Sequence, residues 1–264
     1  MCIVCQAKSI LKPDYTLIFG PGATDEFASA ALASKEPGYL ETTNLTSSNA
    51  ATTDQNINGV LSNTRFGTLT LTFAFPQLAT DYEANYASIN TTTGQVIGSF
   101  SPITAAMQTA ARFSFELASQ LTGLTITEGP VSTANFRLGL FEPNADKTGP
   151  QTAFAYLPTT SIVGGDSWYS NTASFTLPTR GNYAWATILH EIGHNLGLKH
   201  GHETGGPAGV AMTSNRDSME FSIMTYRSFI GSDTAGYSNE RWGFAQTFMM
   251  YDIAALQHLS LIHI

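Results

Sequence analysis

The chain has 264 residues, of which 42% are apolar and 12% charged, a composition typical of a folded globular protein rather than a disordered one. Its 12 basic and 20 acidic residues give a net charge of -8, so the sequence offers no basic footprint for nucleic acid or anionic lipid. No apolar run in it is long enough to cross a bilayer. We therefore expect no nucleic-acid partner and no membrane span.

The first sixty residues are expected to stand apart from the main domain. Cys2 and Cys5 are the two cysteines of the chain, so no disulfide framework holds the fold. A Cys-x-x-Cys pair can be a redox motif or half of a metal site, but without a second pair an unstructured terminal feature is favoured. Residues 42–58 are rich in Thr, Ser, Asn and Ala, which bury little. We expect residues 1–60 to be loosely ordered or a removable pro-segment.

Periodicity predicts the first elements of the domain. Residues 68–75 alternate by two and predict a half-buried strand. Its inward side chains would be Leu69, Leu71, Phe73 and Phe75. Ser101 and Pro102 are typical of an N-cap and a first helical position, so a long helix should follow. The apolar face of that helix would carry Ala106, Ala110, Phe113 and Leu117.

Further strands and a second helix are predicted downstream. Residues 124–127 and 135–141 indicate two strands. The second of them alternates Phe136, Leu138 and Leu140 against Arg137 and Gly139. Residues 153–157 indicate a strand that Pro158 closes, which suits a sheet edge. Residues 183–198 indicate the second main helix, and the order of elements predicts an α/β (α+β) fold.

Residues 190–200 spell H-E-x-x-H-x-x-G-x-x-H, in which each fixed position suits a hydrolytic zinc site. His190 and His194 lie four residues apart, so a helix places both imidazoles on one face. Glu191 would lie beside the metal as a general base. Gly197 can end the helix in a left-handed conformation, which lets the chain return His200 as the third ligand. Three protein ligands leave one coordination position open, as in catalytic zinc sites.

These histidines also have interpretations that involve no catalysis. A His-x-x-x-His pair often has no function, and H-E-x-x-H also occurs by chance, but the added Gly197 and His200 disfavour both explanations. His202 resembles a fourth ligand, yet a loop histidine facing solvent is favoured because the site needs its open position. His258 is expected to be structural.

Several separated segments resemble the metzincin metallopeptidases, and among them the serralysin-like secreted endopeptidases of bacteria. Besides the zinc motif, residues 221–226 (FSIMTY) resemble the family's Met-turn, and residues 250–259 (MYDIAALQHL) resemble the helix that ends its catalytic domain. Residues 153–158 and 167–169 are similar to the strand and loop before its active-site helix. The resemblance spans residues 66–258.

The resemblance implies a metzincin-like twisted mixed sheet packed with a long helix and the active-site helix, followed by a C-terminal subdomain after the third histidine. The catalytic domain would comprise residues 61–258. Residues 259–264 depart from the family's pattern, and we expect them to be a non-native tail of a truncated chain.

The resemblance also implies roles for the site residues. His190, His194 and His200 would bind Zn²⁺, and Glu191 would be the base. Tyr226 would be a movable zinc ligand that supports the oxyanion; its alternative is an ordinary core tyrosine.

Other implied roles concern the surroundings of the metal. Met224 would form the apolar floor beneath the ligands. An edge strand would align an extended substrate through main-chain hydrogen bonds. The residues concerned are Ala153, Phe154, Ala155 and Tyr156. The loop of residues 203–219 would shape the pocket beyond the cut bond.

The function implied is that of a secreted zinc endopeptidase, acting as a monomer on extended protein or peptide substrates by zinc-activated water. Export would need no N-terminal leader and would use a C-terminal signal. Calcium would belong to a C-terminal repeat domain that this sequence lacks. The alternatives are a non-catalytic metzincin-fold module for zinc binding or adhesion, and a zinc hydrolase acting on something other than peptides.

Overall fold

The computed structural model describes residues 46–261, together with the backbone of three short strands at residues 2–5, 7–8 and 18–19. The rest of the expected lead-in before residue 46, and residues 262–264 of the expected tail, lie outside the described residues. The strands are β1 (Cys2–Cys5), β2 (Ala7–Lys8), β3 (Ile18–Phe19), β4 (Thr46–Ser48), β5 (Thr64–Phe66), β6 (Thr70–Ala74), β7 (Ser101–Pro102), β8 (Thr125–Glu128), β9 (Phe136–Phe141), β10 (Ala153–Ala155) and β11 (Ser167–Ser170). The helices are α1 (Gln55–Val60), α2 (Thr91–Gly98), α3 (Ala105–Leu121), α4 (Ala173–Thr176), α5 (Tyr183–Leu196) and α6 (Met250–Leu261).

A seven-stranded mixed sheet forms the frame of the molecule. Its strands follow the order β1-β10-β11-β9-β6-β8, and β7 pairs antiparallel with β9. The four neighbouring strands β8, β6, β9 and β11 pair in parallel, whereas β10 runs antiparallel to β11. The mixed sheet with packed helices confirms the predicted α/β fold class.

The strand β9 is buried on both faces, although its sequence predicted one apolar and one polar face. All six of its residues are buried. Arg137 is neutralised by an ion pair with Asp166, and a Cβ on Gly139 would lie 2.8 Å from the Trp168 ring. At position 137 the charge is therefore paired, and at position 139 the absence of a side chain leaves space for an aromatic ring. A second apolar cluster covers this face, and it includes Tyr82, Tyr86, Phe154 and Trp168.

The long helix α3 begins later than predicted. Ser101 and Pro102 form the short strand β7, and Thr104 caps the helix by accepting a hydrogen bond from the Met107 N–H. The predicted N-cap was therefore wrong, because Ser101 and Pro102 pair with β9 instead. The buried face is also displaced, since three of the four predicted residues are only half-buried. It consists of Met107, Ala110, Ala111, Ser114, Phe115 and Ala118.

The helix α5 lies in the centre of the core. Asn182 caps its start by accepting from the Trp185 N–H, and all fourteen of its residues are buried. Gly197 ends it with φ 110°, which confirms the predicted left-handed turn.

Residues 46–60 are more ordered than their composition predicted. β4 pairs antiparallel with β5, and Asp54 caps α1 through the Asn56 and Ile57 N–H groups. Val60 and Leu61 are fully buried in the main core. At the other end, α6 continues through residues 259–261, with Leu259 and Ser260 buried. The domain boundaries themselves stay predictions. Within the described residues, no helix has both the length and the apolar character that a bilayer crossing requires.

Candidate metal centre

Three imidazoles converge at the C-terminal end of α5. The Nε2 atoms of His190 and His194 are 3.1 Å apart, those of His194 and His200 are 3.1 Å apart, and those of His200 and His190 are 3.2 Å apart. All three side chains are buried. The two helical histidines lie one turn apart, and the turn at Gly197 returns His200 to the same point. We call these three residues the histidine cluster.

The opposite ring nitrogens fix the tautomers of the histidine cluster. His190 Nδ1 lies 2.7 Å from the Ile223 carbonyl oxygen, and His194 Nδ1 lies 2.8 Å from that of Leu198. His200 Nδ1 lies 2.9 Å from a carboxylate oxygen of Glu203. Because these oxygens only accept, each Nδ1 donates, and each Nε2 presents a lone pair to the other two.

Burial keeps the histidine cluster uncharged. It lowers the pKa of His190 to about 4, and the pKa values of His194 and His200 lie well below the ordinary histidine value for the same main cause. The neighbouring imidazoles lower the last two further. Protons therefore do not relieve the repulsion between the lone pairs at neutral pH.

The donor set fits a zinc ion. Three neutral imidazole nitrogens about 3 Å apart can all contact one ion, because Zn–N bonds are about 2.0–2.1 Å long. A divalent cation would also turn the mutual repulsion of the lone pairs into attraction. The second ring nitrogen of each histidine already donates to an oxygen, as is usual for histidine ligands of zinc.

Residues 221–226, the segment that resembles a Met-turn, pack against α5 beside the histidine cluster. Met224 is fully buried, and a Cβ on Gly193 would lie 2.6 Å from its sulfur, so this glycine allows the turn to approach α5 closely. Asp252 accepts hydrogen bonds from Ser222 Oγ at 2.6 Å and from the Ile223 N–H at 2.8 Å. The carbonyl of Ile223 accepts from His190, so Asp252 is connected to this imidazole through the backbone of one residue, Ile223. Motif inspection did not identify Asp252.

Glu191 and Tyr226 lie beside the histidine cluster. Glu191 is fully buried, and the Tyr226 hydroxyl is 2.9 Å from His200 Nε2. Both line one small cavity between α5 and the Met-turn. The other lining residues are Tyr183, Ala186, Thr187, His190, Met219, Ile223 and Tyr237. The arrangement places a carboxylate, a phenol and an apolar recess around one point.

The strand predicted to bind substrate corresponds to β10, beside α5. Residues 153–156 are buried, and the Tyr156 carbonyl lies 3.3 Å from Nδ2 of Asn195, a residue of α5. β10 would border the sheet, but β1 pairs with it antiparallel, with Cys2 opposite Ala155. A strand at residues 2–5 was not expected, since the sequence favoured an unstructured Cys-x-x-Cys terminus.

Two neighbours of His200 differ from their sequence interpretation. His202 is half-buried rather than facing solvent, and its ring lies nearly parallel to that of His200, with centroids 5.3 Å apart. The sequence analysis treated Glu203 only as part of a loop, but its carboxylate accepts a hydrogen bond from His200 Nδ1. The sequence feature that could have indicated this contact is a carboxylate three residues after His200. His258 contacts the Ala50 carbonyl at 2.9 Å.

The chain is similar in sequence to known bacterial metallopeptidases. No protein-family model matches it. It is 32% identical to Serralysin B of Dickeya chrysanthemi over 188 residues, and 30% identical to the metallopeptidase AprA of Pseudomonas marginalis over 182 residues. Each match covers 66% of this chain and 38% of the relative. Serralysin of Proteus mirabilis is 32% identical over 130 residues, or 46% of this chain and 25% of the relative.

The chain thus spans less than two fifths of the length of the first two relatives. The similarity and the histidine cluster agree with each other, because a cluster of three histidines is the metal-binding feature that the resemblance implied. Over the matched part this chain is therefore a homologue of serralysin-type metallopeptidases, and its histidine cluster is consistent with a metzincin metal site.

Proposed function

We propose that this chain is the catalytic part of a secreted zinc endopeptidase that hydrolyses peptide bonds in extended protein substrates. The observation that carries the proposal is the histidine cluster, with three Nε2 atoms within 3.2 Å of one another beside the buried Glu191. Action outside the cell follows from the family resemblance. Calcium stays a prediction for a C-terminal repeat domain.

His190, His194 and His200 would hold the zinc ion. When bound, zinc supplies Lewis acidity that polarises a carbonyl and makes water more acidic at neutral pH. Glu191 would accept a proton from the attacking water and deliver it to the leaving amine, which gives hydrolysis without an acyl-enzyme. Its burial beside the apolar recess excludes bulk water from this transfer.

Tyr226 would stabilise the negative charge that develops on the carbonyl oxygen. Its hydroxyl lies 2.9 Å from His200 Nε2, which is within reach of anything that the histidine cluster holds. Rotation of the side chain would move the hydroxyl from the ligand position to the oxyanion. Met224 would serve as the floor beneath the ligands.

Substrate would bind by adding a strand to β10, through the backbone of Ala153, Phe154, Ala155 and Tyr156. The same edge pairs with β1, so substrate and residues 2–5 would compete for it. This supports a pro-segment role for residues 1–60. The recess beside Glu191, lined by Met219 and Ile223, would take an apolar side chain of the substrate.

The proposal is tested with the full chain and its Glu191→Gln variant, using casein hydrolysis and zinc content. Because general acid–base groups contribute about 10²–10⁴ in rate, we expect casein hydrolysis to fall by that factor with zinc retained. Glu116→Gln, an exposed carboxylate on α3, is the matched control and should leave the rate unchanged.

Two results would contradict the proposal. A parent that binds one zinc per chain but never cleaves casein would favour the alternative, a non-catalytic zinc-binding or adhesion module. Casein cleavage that survives Glu191→Gln at the parent rate would remove Glu191 from the mechanism.

A further inference from the structure

The three imidazoles of the histidine cluster have unequal Nδ1 partners. Those of His190 and His194 donate to neutral backbone carbonyls, at 2.7 and 2.8 Å. The Nδ1 of His200 donates instead to Glu203 Oε1 at 2.9 Å, and this partner carries a charge when ionised. A carboxylate is the stronger acceptor, so the His200 ring is the most strongly polarised of the three.

The backbone around Glu203 holds its carboxylate in place. The Glu203 N–H donates to the His200 carbonyl at 3.3 Å, which folds the chain back over one turn. Lys199 Nζ donates to the Glu203 carbonyl at 2.7 Å and to that of His200 at 3.4 Å. It also donates to the Gly59 carbonyl. The ammonium group thus ties both ends of the turn to the start of the domain.

Glu203 contacts both solvent and a buried ring. Its side chain is 45% exposed, whereas the His200 side chain is 1% exposed. Water can therefore solvate one carboxylate oxygen while the other accepts from Nδ1. Such a pairing fixes the tautomer and orientation of a histidine ligand and makes its metal-binding nitrogen more basic.

We propose that Glu203 is a positioning residue that orients and polarises His200 for metal binding, a role that neither the motif nor the family resemblance assigned to it. This inference rests on the proposed zinc site. It does not depend on peptide hydrolysis, since the quantity that Glu203 controls is the affinity of the histidine cluster for a divalent cation.

The experiment compares Glu203→Ala and Glu203→Gln with the parent in the full chain. Zinc affinity is measured by competition with a chromophoric chelator, and the ligand field by the visible spectrum of the Co²⁺-loaded protein. Loss of such a partner typically costs 10–100-fold in metal affinity, so we expect about that loss in Glu203→Ala, with a shifted Co²⁺ spectrum. Glu203→Gln keeps an acceptor oxygen and should recover part of the affinity and the parent spectrum.

The control is Glu142→Gln, an exposed carboxylate after β9, which should match the parent in both measurements. Thermal unfolding of the metal-free proteins separates misfolding from a weakened site. Glu203→Ala with parent affinity and an unchanged Co²⁺ spectrum would overturn the inference. A parent that binds zinc but does not cleave casein would refute the proposed function, while a 10–100-fold affinity loss in Glu203→Ala would still support the role of Glu203.

Discussion

Two buried polar clusters on opposite faces of the sheet differ in how they are satisfied. The ion-pair cluster consists of Arg137, Asp166 and Glu83, in which the guanidinium donates to both carboxylates at 2.9–3.1 Å and to the Ile162 carbonyl at 2.7 Å. The histidine cluster instead points three lone pairs at one another. Protein groups alone satisfy the ion-pair cluster, whereas the histidine cluster is suited to bind a cation from solution.

This difference separates a structural device from a binding site. A buried charge that is fully paired belongs to the architecture, and removing one partner is costly. Imidazole lone pairs that converge in a buried place repel one another, and a bound ligand of positive charge removes that repulsion. The two clusters should therefore respond differently to metal, to substitution and to pH.

The largest expected effect is that of metal removal. Treating the full chain with a strong chelator should abolish casein hydrolysis, and added Zn²⁺ should restore it. At free zinc 1,000-fold above its dissociation constant, binding contributes about 4 kcal/mol to the free energy of unfolding. Urea unfolding with and without chelator measures this difference. Equal unfolding curves would show that the histidine cluster needs no ion.

The next effect concerns the ion-pair cluster. Arg137→Met leaves Asp166 buried without its cation, and we expect a loss of about 3–5 kcal/mol in the free energy of unfolding. The loss should be the same with chelator present, since none of the hydrogen bonds described above joins the ion-pair cluster to the histidine cluster. Urea unfolding of variant and parent in both conditions checks this.

Arg112→Met is the matched control, because Arg112 and Glu128 form an ion pair with both side chains nearly half exposed. Such a pair contributes about 0–1 kcal/mol. If Arg137→Met lowers the free energy of unfolding no more than Arg112→Met does, the ion-pair cluster does not stabilise the sheet.

The smallest effect is a pH dependence of the metal-free protein. Burial lowers the pKa of His190 to about 4, below its ordinary value of 6.5, so the unfolded chain binds the proton more tightly. Stability contributed by this ring is complete above about pH 6.5 and is lost as the pH falls toward 4, by at most about 3 kcal/mol.

Urea unfolding of chelated parent and His190→Gln at pH 7 and pH 5 isolates this loss as the difference between the two proteins, because Asp166 and Asp252, whose pKa values burial raises to about 6, titrate in both. The metal-free parent and the variant losing the same stability on acidification would contradict the assignment. Arg112→Met is the comparison protein here, since it retains all three imidazoles, alters only an ion pair that is nearly half exposed and should lose as much as the parent.

Sequence reasoning identified the histidine cluster because its spacing is a local property. His190 and His194 lie on one helical face by geometry alone, and Gly197 can turn the chain back toward His200. The mixed sheet was also foreseeable from alternating segments. The start of α3 was not, because Ser101 and Pro102 have the composition of a helix start but pair with Leu140 and Gly139, which lie 39 and 37 residues downstream.

The partners that complete each cluster were hidden for the same reason. Arg137 looked like a solvent-facing position until Asp166 and Glu83 came together around it from distant segments. Asp252 supports the Met-turn from a helix that begins 26 residues after Met224. No periodicity within one segment reports such long-range pairing.

The connection between Lys199 and the α1 segment has a practical meaning for anyone shortening this protein. The Lys199 N–H donates to the Val60 carbonyl at 2.7 Å, its ammonium meets the Gly59 carbonyl, and Leu61 bridges to Leu198. A chain that begins at residue 61 would lack the Gly59 and Val60 carbonyls that accept hydrogen bonds from Lys199, the residue before His200. Expression trials should therefore start upstream of Thr46, so that the scaffold and the third imidazole are produced together.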